Sequence, residues 1–130
     1  MVEALKDPII ISGIVVHGKG KGHTVGMPTA NLSISGFSST PPYGVYASIV
    51  RLPFGFFMGV TNIGLRPSVD DEDKVSIETE IVDFDMDIYG LSMTLELVGY
   101  IRETRKMANL ESVKEQVGKD IEDVRKFFSL

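Results

Sequence analysis

Residues 91–101 read LSMTLELVGYI, and the alternation in this stretch decides the fold class. Apolar side chains occupy every second position from Leu91 to Leu97, and polar side chains occupy the positions between them. Alternate residues of an extended chain point to opposite faces. The stretch therefore predicts a β-strand whose apolar face lies on a core and whose polar face meets water or a ligand.

Other segments share this strand-like composition, being rich in β-branched residues and separated by turns of glycine, proline and acidic residues. The connections are short and contain no helical pattern, which favours an antiparallel barrel. The predicted strands cover residues 9–16, 44–50, 56–62, 74–82 and 91–101.

The C-terminal part changes to helical spacing. Leu110, Val113 and Val117 recur at this spacing behind Asn109, a residue type that caps helix N-termini. Asp120 is expected to cap a second helical segment. We expect this region to pack an apolar stripe against the barrel.

Length and charge limit the possible classes of protein. The 130 residues predict a single domain, residues 1–130, and the net charge of −5 disfavours nucleic acid as a partner. No segment has the pattern of a membrane span or a signal peptide, and cysteine is absent. We expect a monomeric, cytoplasmic protein that binds neither membranes nor nucleic acid.

Residues 18–26, GKGKGHTVG, have the composition of a phosphate-binding loop. Glycines let backbone N–H groups approach a phosphate, and Lys19 and Lys21 could neutralise it. The Walker A motif fails because Gly20 stands where Ser or Thr should bind magnesium, and the Rossmann motif fails at Val25. A flexible hairpin is the commoner structure for this composition.

The next segment, Pro28-Thr29-Ala30-Asn31, places a hydroxyl and an amide oxygen on one side of an extended chain. Both are hard oxygen ligands of the kind that Mg²⁺ accepts. The commoner structure for these residues is a turn led by proline in which Thr29 and Asn31 cap the local backbone. The residues themselves leave both interpretations open.

Glu78 and Glu80 share one face of the predicted strand 74–82. Two carboxylates about 7 Å apart raise each other's pKa when they are partly desolvated, which suits a general base. A solvated surface pair is the commoner case.

Taken in this order, the segments resemble the riboflavin kinase family, which also forms the C-terminal half of bifunctional FAD synthetases. The resemblance covers residues 11–127 and implies a mainly β fold, a six-stranded antiparallel Greek-key β-barrel with a C-terminal helical segment. The segments that carry it are residues 13–18, the glycine-rich loop 18–26, and residues 26–31, 44–47, 62–64, 78–84, 89–90, 100–103, 109–112 and 118–121.

The resemblance implies phosphorylation of riboflavin by ATP at the ribityl 5′-hydroxyl, with Mg²⁺, to give FMN and ADP. Glu78 matches the catalytic base, and Thr29 and Asn31 match the ligands of the metal. The expected flavin contacts are Arg102, Thr104 and Met107. The expected ATP-binding residues are Gly18, Lys19, Gly20, Lys21, Gly22, Gly26, Pro28, Thr29, Asn31 and Tyr89.

The chain departs from the family pattern at Glu80, where many members have histidine. Nothing in it resembles an adenylyltransferase module, so we expect FMN as the product. A non-catalytic flavin- or nucleotide-binding regulatory barrel is the alternative, although a pure binder needs neither a base nor a metal site. An oligonucleotide-binding barrel is disfavoured by the acidic charge.

Overall fold

The computed structural model describes residues 2–16, 29–33, 41–66, 74–104 and 108–129. Within these residues the strands pair antiparallel with their neighbours and close into a barrel in the order β1-β2-β5-β4-β3-β6. The elements are β1 (Glu3–Val16), β2 (Ala30–Ser33), β3 (Gly44–Leu52), β4 (Gly55–Arg66), β5 (Lys74–Ile81), β6 (Ser92–Arg102) and α1 (Leu110–Phe128).

Strand β6 returns to lie beside β3 after the consecutive strands β3, β4 and β5, which is the Greek-key arrangement. The predicted six-stranded antiparallel Greek-key barrel with a C-terminal helix is confirmed. No helix in the described part of the chain is long and apolar enough to cross a membrane.

The barrel interior is filled by the apolar face of each strand. Met93, Leu95 and Leu97 of β6 are buried there, as their alternation predicts. Gly59 allows the walls to approach, because a Cβ atom there would lie 2.7 Å from Val50 Cγ2, too close for a real contact. The interior is therefore packed rather than open along this part of its length.

Three hydroxyl groups also lie inside the barrel and satisfy one another. Ser48 Oγ lies 2.8 Å from Thr61 Oγ1, and Thr61 Oγ1 lies 2.9 Å from Thr79 Oγ1. All three residues are buried. Because each buried hydroxyl has a hydrogen-bond partner, burying these groups destabilises the fold little. The hydroxyls also link β3, β4 and β5 across the core.

Helix α1 packs on the outer wall of the barrel. Val124 of the helix forms a second apolar cluster with Val45, Ala47 and Val60. The predicted cap is confirmed, since Asn109 Oδ1 accepts a hydrogen bond from the backbone N–H of Ser112 at 2.8 Å.

The prediction that Asp120 caps a second helical segment is wrong. Asp120 lies inside one continuous helix and is buried. Its carboxylate binds Arg102 outside the helix as well as Gln116 within it. It accepts hydrogen bonds from Arg102 Nη2 at 2.8 Å, from Arg102 Nε at 3.1 Å and from Gln116 Nε2 at 3.1 Å. The fork of Arg102 thereby fastens the end of β6 to the middle of α1.

We expect Asp120→Ala to lower the free energy of unfolding by about 3 kcal/mol, because it leaves the largely buried guanidinium of Arg102 without its anion. Urea unfolding followed by circular dichroism measures the change. Glu115→Ala is the matched control, since Glu115 pairs with Lys119 on the exposed face of the same helix. That variant should lose about 0.5 kcal/mol or less, and equal losses in both variants would contradict the anchoring role of Asp120.

Candidate functional site

The short strand β2 lies directly beside β5 and places two predicted site residues next to each other. Asn31 pairs with Glu78, and Ala30 pairs with Thr79. Ala30 and Thr79 are buried on the barrel interior, so Asn31 and Glu78 point to the outer face. Side chains that face each other across antiparallel strands have Cβ atoms about 5 Å apart, so the amide and the carboxylate are neighbours.

A third polar residue, Asn62, extends this row on the other side of Glu78. Asn62 pairs with Glu78 across β4 and β5. Its Oδ1 accepts a hydrogen bond from Thr104 Oγ1 at 3.0 Å. The outer face therefore carries two amides with a carboxylate between them, and a hydroxyl from the segment after β6 joins the row.

Glu78 has a hydrogen-bond partner on its own strand, since Ser76 Oγ donates to Glu78 Oε1 at 3.3 Å. Glu78 is partly buried. The carboxylate thus lies at the edge of solvent with one long hydrogen bond from its own strand.

A cavity of about 450 Å³ lies on the inner face of β2 and β5, the face opposite this row, since inward-facing Ala30 and Thr79 are part of its lining. Its wall includes Thr29, two residues before Asn31, together with Tyr89 from the turn that precedes β6. Most of the lining is apolar. The lining consists of Val15, Thr29, Ala30, Thr79, Ile81 and residues 84–89.

The turn that carries Tyr89 is fixed to β1 by backbone hydrogen bonds. Gly90 N–H donates to the carbonyl of Val15 at 2.8 Å, and Val15 N–H donates to the carbonyl of Leu91 at 2.9 Å. Gly90 has φ of 86°, a conformation that favours glycine. Asp87 Oδ1 accepts from the N–H of Tyr89 at 3.1 Å. The cavity therefore has one wall of defined conformation.

Glu80 also points to the outer face, since it pairs with Val60 of the cluster under α1. Its Oε2 atom is buried and has no hydrogen-bond partner among the described residues. Burial of this carboxyl raises its pKa from 4.5 to about 7. The sequence predicted that the two glutamates would raise each other's pKa, but the cause at Glu80 is desolvation.

Arg102 does not reach the cavity. Its guanidinium is bound to Asp120, and its Nη1 donates to the carbonyl of Glu103 at 3.2 Å. Its predicted flavin contact stays a prediction, as does that of Thr104. The remaining predicted site residues lie outside the described residues; they are Gly18, Lys19, Gly20, Lys21, Gly22, Gly26, Pro28 and Met107.

Thr29 and Tyr89 thus line the cavity, whereas Asn31 and Glu78 lie on the outer face of the barrel wall. The model of the riboflavin kinase family matches residues 5–128. The chain belongs to the riboflavin kinase family.

Two curated relatives and one solved structure illustrate the family. The bifunctional riboflavin kinase/FMN adenylyltransferase of Bacillus subtilis is 35% identical over 127 residues, which is 96% of this chain and 40% of the relative. The RNA-binding riboflavin kinase RibR of Bacillus subtilis is 39% identical over 123 residues, 93% of this chain and 52% of the relative. The chain therefore spans about half or less of the length of these relatives.

The crystal structure of riboflavin kinase from Trypanosoma brucei has a TM-score of 0.62 and 19% identity, covering 98% of this chain and 81% of that chain. This likeness supports the fold. The RNA binding in the name of RibR describes that protein, and the absence of a nucleic-acid partner stays a prediction here, as do the monomeric state and the cytoplasmic location.

Sequence reasoning gave no role to Asn62. Residues 62–64 contributed to the family resemblance, but only the register of β4 against β5 shows that Asn62 faces Glu78. The signal in the sequence was that Asn62 is polar, whereas Met58 and Val60, which precede it on the same face of the strand, are apolar.

We expect Glu80→Gln to stabilise the protein in a pH-dependent way. Because the folded-state pKa is raised, the wild-type protein loses stability as pH rises from 4.5 to about 7. Glutamine removes that loss, so the variant should gain on the order of 1 kcal/mol at pH 8 and almost nothing at pH 4.5, after allowance for solvent screening of a half-buried group.

Thermal unfolding across this pH range measures the difference between the variant and the wild type. Glu122→Gln, at an exposed position of α1, is the control and should show no such trend. A gain for Glu80→Gln that is the same at pH 5 and pH 8 would rule out the desolvated carboxyl as its cause.

Proposed function

We propose that this chain transfers the γ-phosphate of ATP to the ribityl 5′-hydroxyl of riboflavin, giving FMN and ADP. The observation that carries the proposal is the pairing of Asn31 with Glu78 across β2 and β5. It sets a side chain suited to a metal or a phosphate beside a carboxylate suited to accept a proton. Membership of the riboflavin kinase family supports the choice of substrates.

The order of groups along the barrel wall supports this reaction. Asn31, Glu78 and Asn62 follow one another on β2, β5 and β4, and Thr29 of the cavity wall precedes Asn31 by two residues. Neighbouring strands lie about 4.8 Å apart, so the row from Asn31 to Asn62 spans about 10 Å. The nucleoside of ATP occupies the cavity, its phosphates lie at Thr29 and Asn31, and the flavin hydroxyl lies at Glu78.

Glu78 is the general base in this proposal. The 5′-oxygen attacks the γ-phosphorus while its proton passes to the Glu78 carboxylate, and the bond from the γ-phosphorus to the bridging oxygen of ADP breaks. Ser76 occupies Oε1, which leaves Oε2 to accept the proton. The protein otherwise contributes by holding the two substrates in line, because phosphoryl transfer needs little covalent chemistry from it.

Thr29 and Asn31 would hold Mg²⁺ in this site. Their hydroxyl and amide oxygens are hard donors, and few protein ligands are needed because phosphates and water complete the octahedron. When bound, the ion neutralises charge that develops on the phosphate oxygens.

We expect Glu78→Gln to keep riboflavin and ATP binding but to lower kcat about a hundredfold or more, because the amide keeps the shape but cannot accept a proton. FMN formation from riboflavin and Mg-ATP, followed by chromatography, is the measurement. Glu96→Gln is the matched control, a half-buried outer-face glutamate of β6 that pairs with Arg51. Near-normal kcat in Glu78→Gln would show that Glu78 is not the general base. Riboflavin binding by the wild-type protein without FMN formation would favour a non-catalytic binding barrel.

We expect Thr29→Ala and Asn31→Ala to weaken the binding of Mg-ATP much more than the binding of metal-free ADP, because the lost oxygens act through the ion. Calorimetry with and without magnesium measures both affinities. Ser33→Ala, at the exposed end of the same strand, is the control and should change neither. Equal losses with and without magnesium would assign these residues to the local structure of β2 instead.

A further inference from the structure

Asn62 lies on β4 between β3 and β5, with its side chain on the outer face beside Glu78. It is partly buried, and no other side chain in the described residues lies directly opposite Glu78 except Asn31. Asn31 is assigned to the metal and phosphates above. Asn62 has no role in that assignment, although its Cβ is about 5 Å from that of Glu78.

The amide of Asn62 is oriented by Thr104. Strand β3 begins at Gly44, which pairs with Ile63, so the next position of β4, Gly64, has no β3 partner. Thr104 lies close to this position, since a Cβ atom at Gly64 would be 3.6 Å from its Cγ2. From there its hydroxyl reaches back to Asn62.

The direction of the Thr104 hydrogen bond decides which end of the amide faces Glu78. Thr104 Oγ1 lies 3.0 Å from Asn62 Oδ1 and 3.3 Å from the carbonyl of Ile63, so the shorter bond goes to Asn62. Thr104 follows by two residues Arg102, which pairs with Val45 of β3, so the chain approaches β4 from the β3 side, whereas Glu78 lies on the β5 side. Because the amide is planar, binding of its oxygen on the β3 side leaves its N–H₂ group on the side of Glu78.

Glu78 needs a second donor to hold its carboxylate in one place. The bond from Ser76 is 3.3 Å long, at the weak end of the range for a hydroxyl and a carboxylate. Glutamate side chains have many rotamers, and a base must stay within hydrogen-bond reach of the proton that it accepts.

We propose that Asn62 is a positioning residue for Glu78: its side-chain N–H, aimed by Thr104, donates to the Glu78 carboxylate in the working enzyme and holds it toward the substrate hydroxyl. This inference rests on the riboflavin kinase activity proposed above. It gives Thr104 a function as the residue that orients Asn62.

Asn62→Asp tests the proposal because aspartate keeps the size of the side chain and the oxygen that accepts from Thr104. It replaces the donor with a second negative charge, which repels the Glu78 carboxylate. We expect kcat to fall at least tenfold, with the KM for ATP and the melting temperature nearly unchanged. A purely structural role for Asn62 predicts a lower melting temperature and a normal kcat. Asn109→Asp adds the same charge at the exposed cap of α1 and controls for net charge.

Thr104→Val, Asn62→Ala and the double variant test the link between the two residues. If Thr104 acts through Asn62, the double variant has about the same kcat as Asn62→Ala alone, and Thr104→Ser recovers most of the activity. Thr94→Val is the matched control, because Thr94 of β6 also binds another hydroxyl, Ser12 Oγ at 2.9 Å, away from this row.

Two results would overturn the inference while the kinase assignment stands: wild-type kcat in Asn62→Asp, or losses in Thr104→Val and Asn62→Ala that simply multiply in the double variant. Absence of FMN formation by the wild-type protein would instead overturn the proposed function, and the inference with it.

Discussion

The barrel is closed by its shortest ladder, the two residue pairs that join β2 to β5. Strand β2 has only four residues, yet it bridges β1 and β5 and leaves no open edge in the sheet. The same register points Ala30 inward and Asn31 outward beside Glu78. A shift of one residue would exchange these faces, so closure of the fold and assembly of the site depend on one register.

A second constraint comes from the other side of the row. The buried pair of Arg102 and Asp120 fixes the end of β6 against α1, and Thr104 follows Arg102 by two residues. Thr104, beside Gly64 and Asn62, is therefore only two residues from an ion pair that itself has no contact with the cavity. Buried ion pairs add little to stability compared with apolar packing, so positioning is a sufficient reason for this one.

The sequence predicted the elements with strong periodicity and failed where a contact between distant residues decides the structure. The alternation in β6 and the cap at Asn109 are local, and both are confirmed. Strand β1 begins at Glu3 rather than at residue 9, because Glu3 and Ala4 also pair with β6. The register is irregular between Ala4 and Ile9. Asp120 has the residue type of a helix cap, but its partner is 18 residues away in sequence.

The candidate site shows the same division. Spacing predicted that Glu78 and Glu80 share a face, and they do, but spacing treats the two carboxyls alike. Their environments differ: Glu78 has the hydroxyl of Ser76 and lies between two amides, whereas one oxygen of Glu80 is buried without a partner among the described residues. Burial raises the pKa of the Glu80 carboxyl to about 7, so desolvation changes the chemistry of this residue. Two residues of the same type therefore differ in chemistry because they face different residues on the neighbouring strands. Those neighbours depend on the cross-strand register, which no local pattern in the sequence encodes.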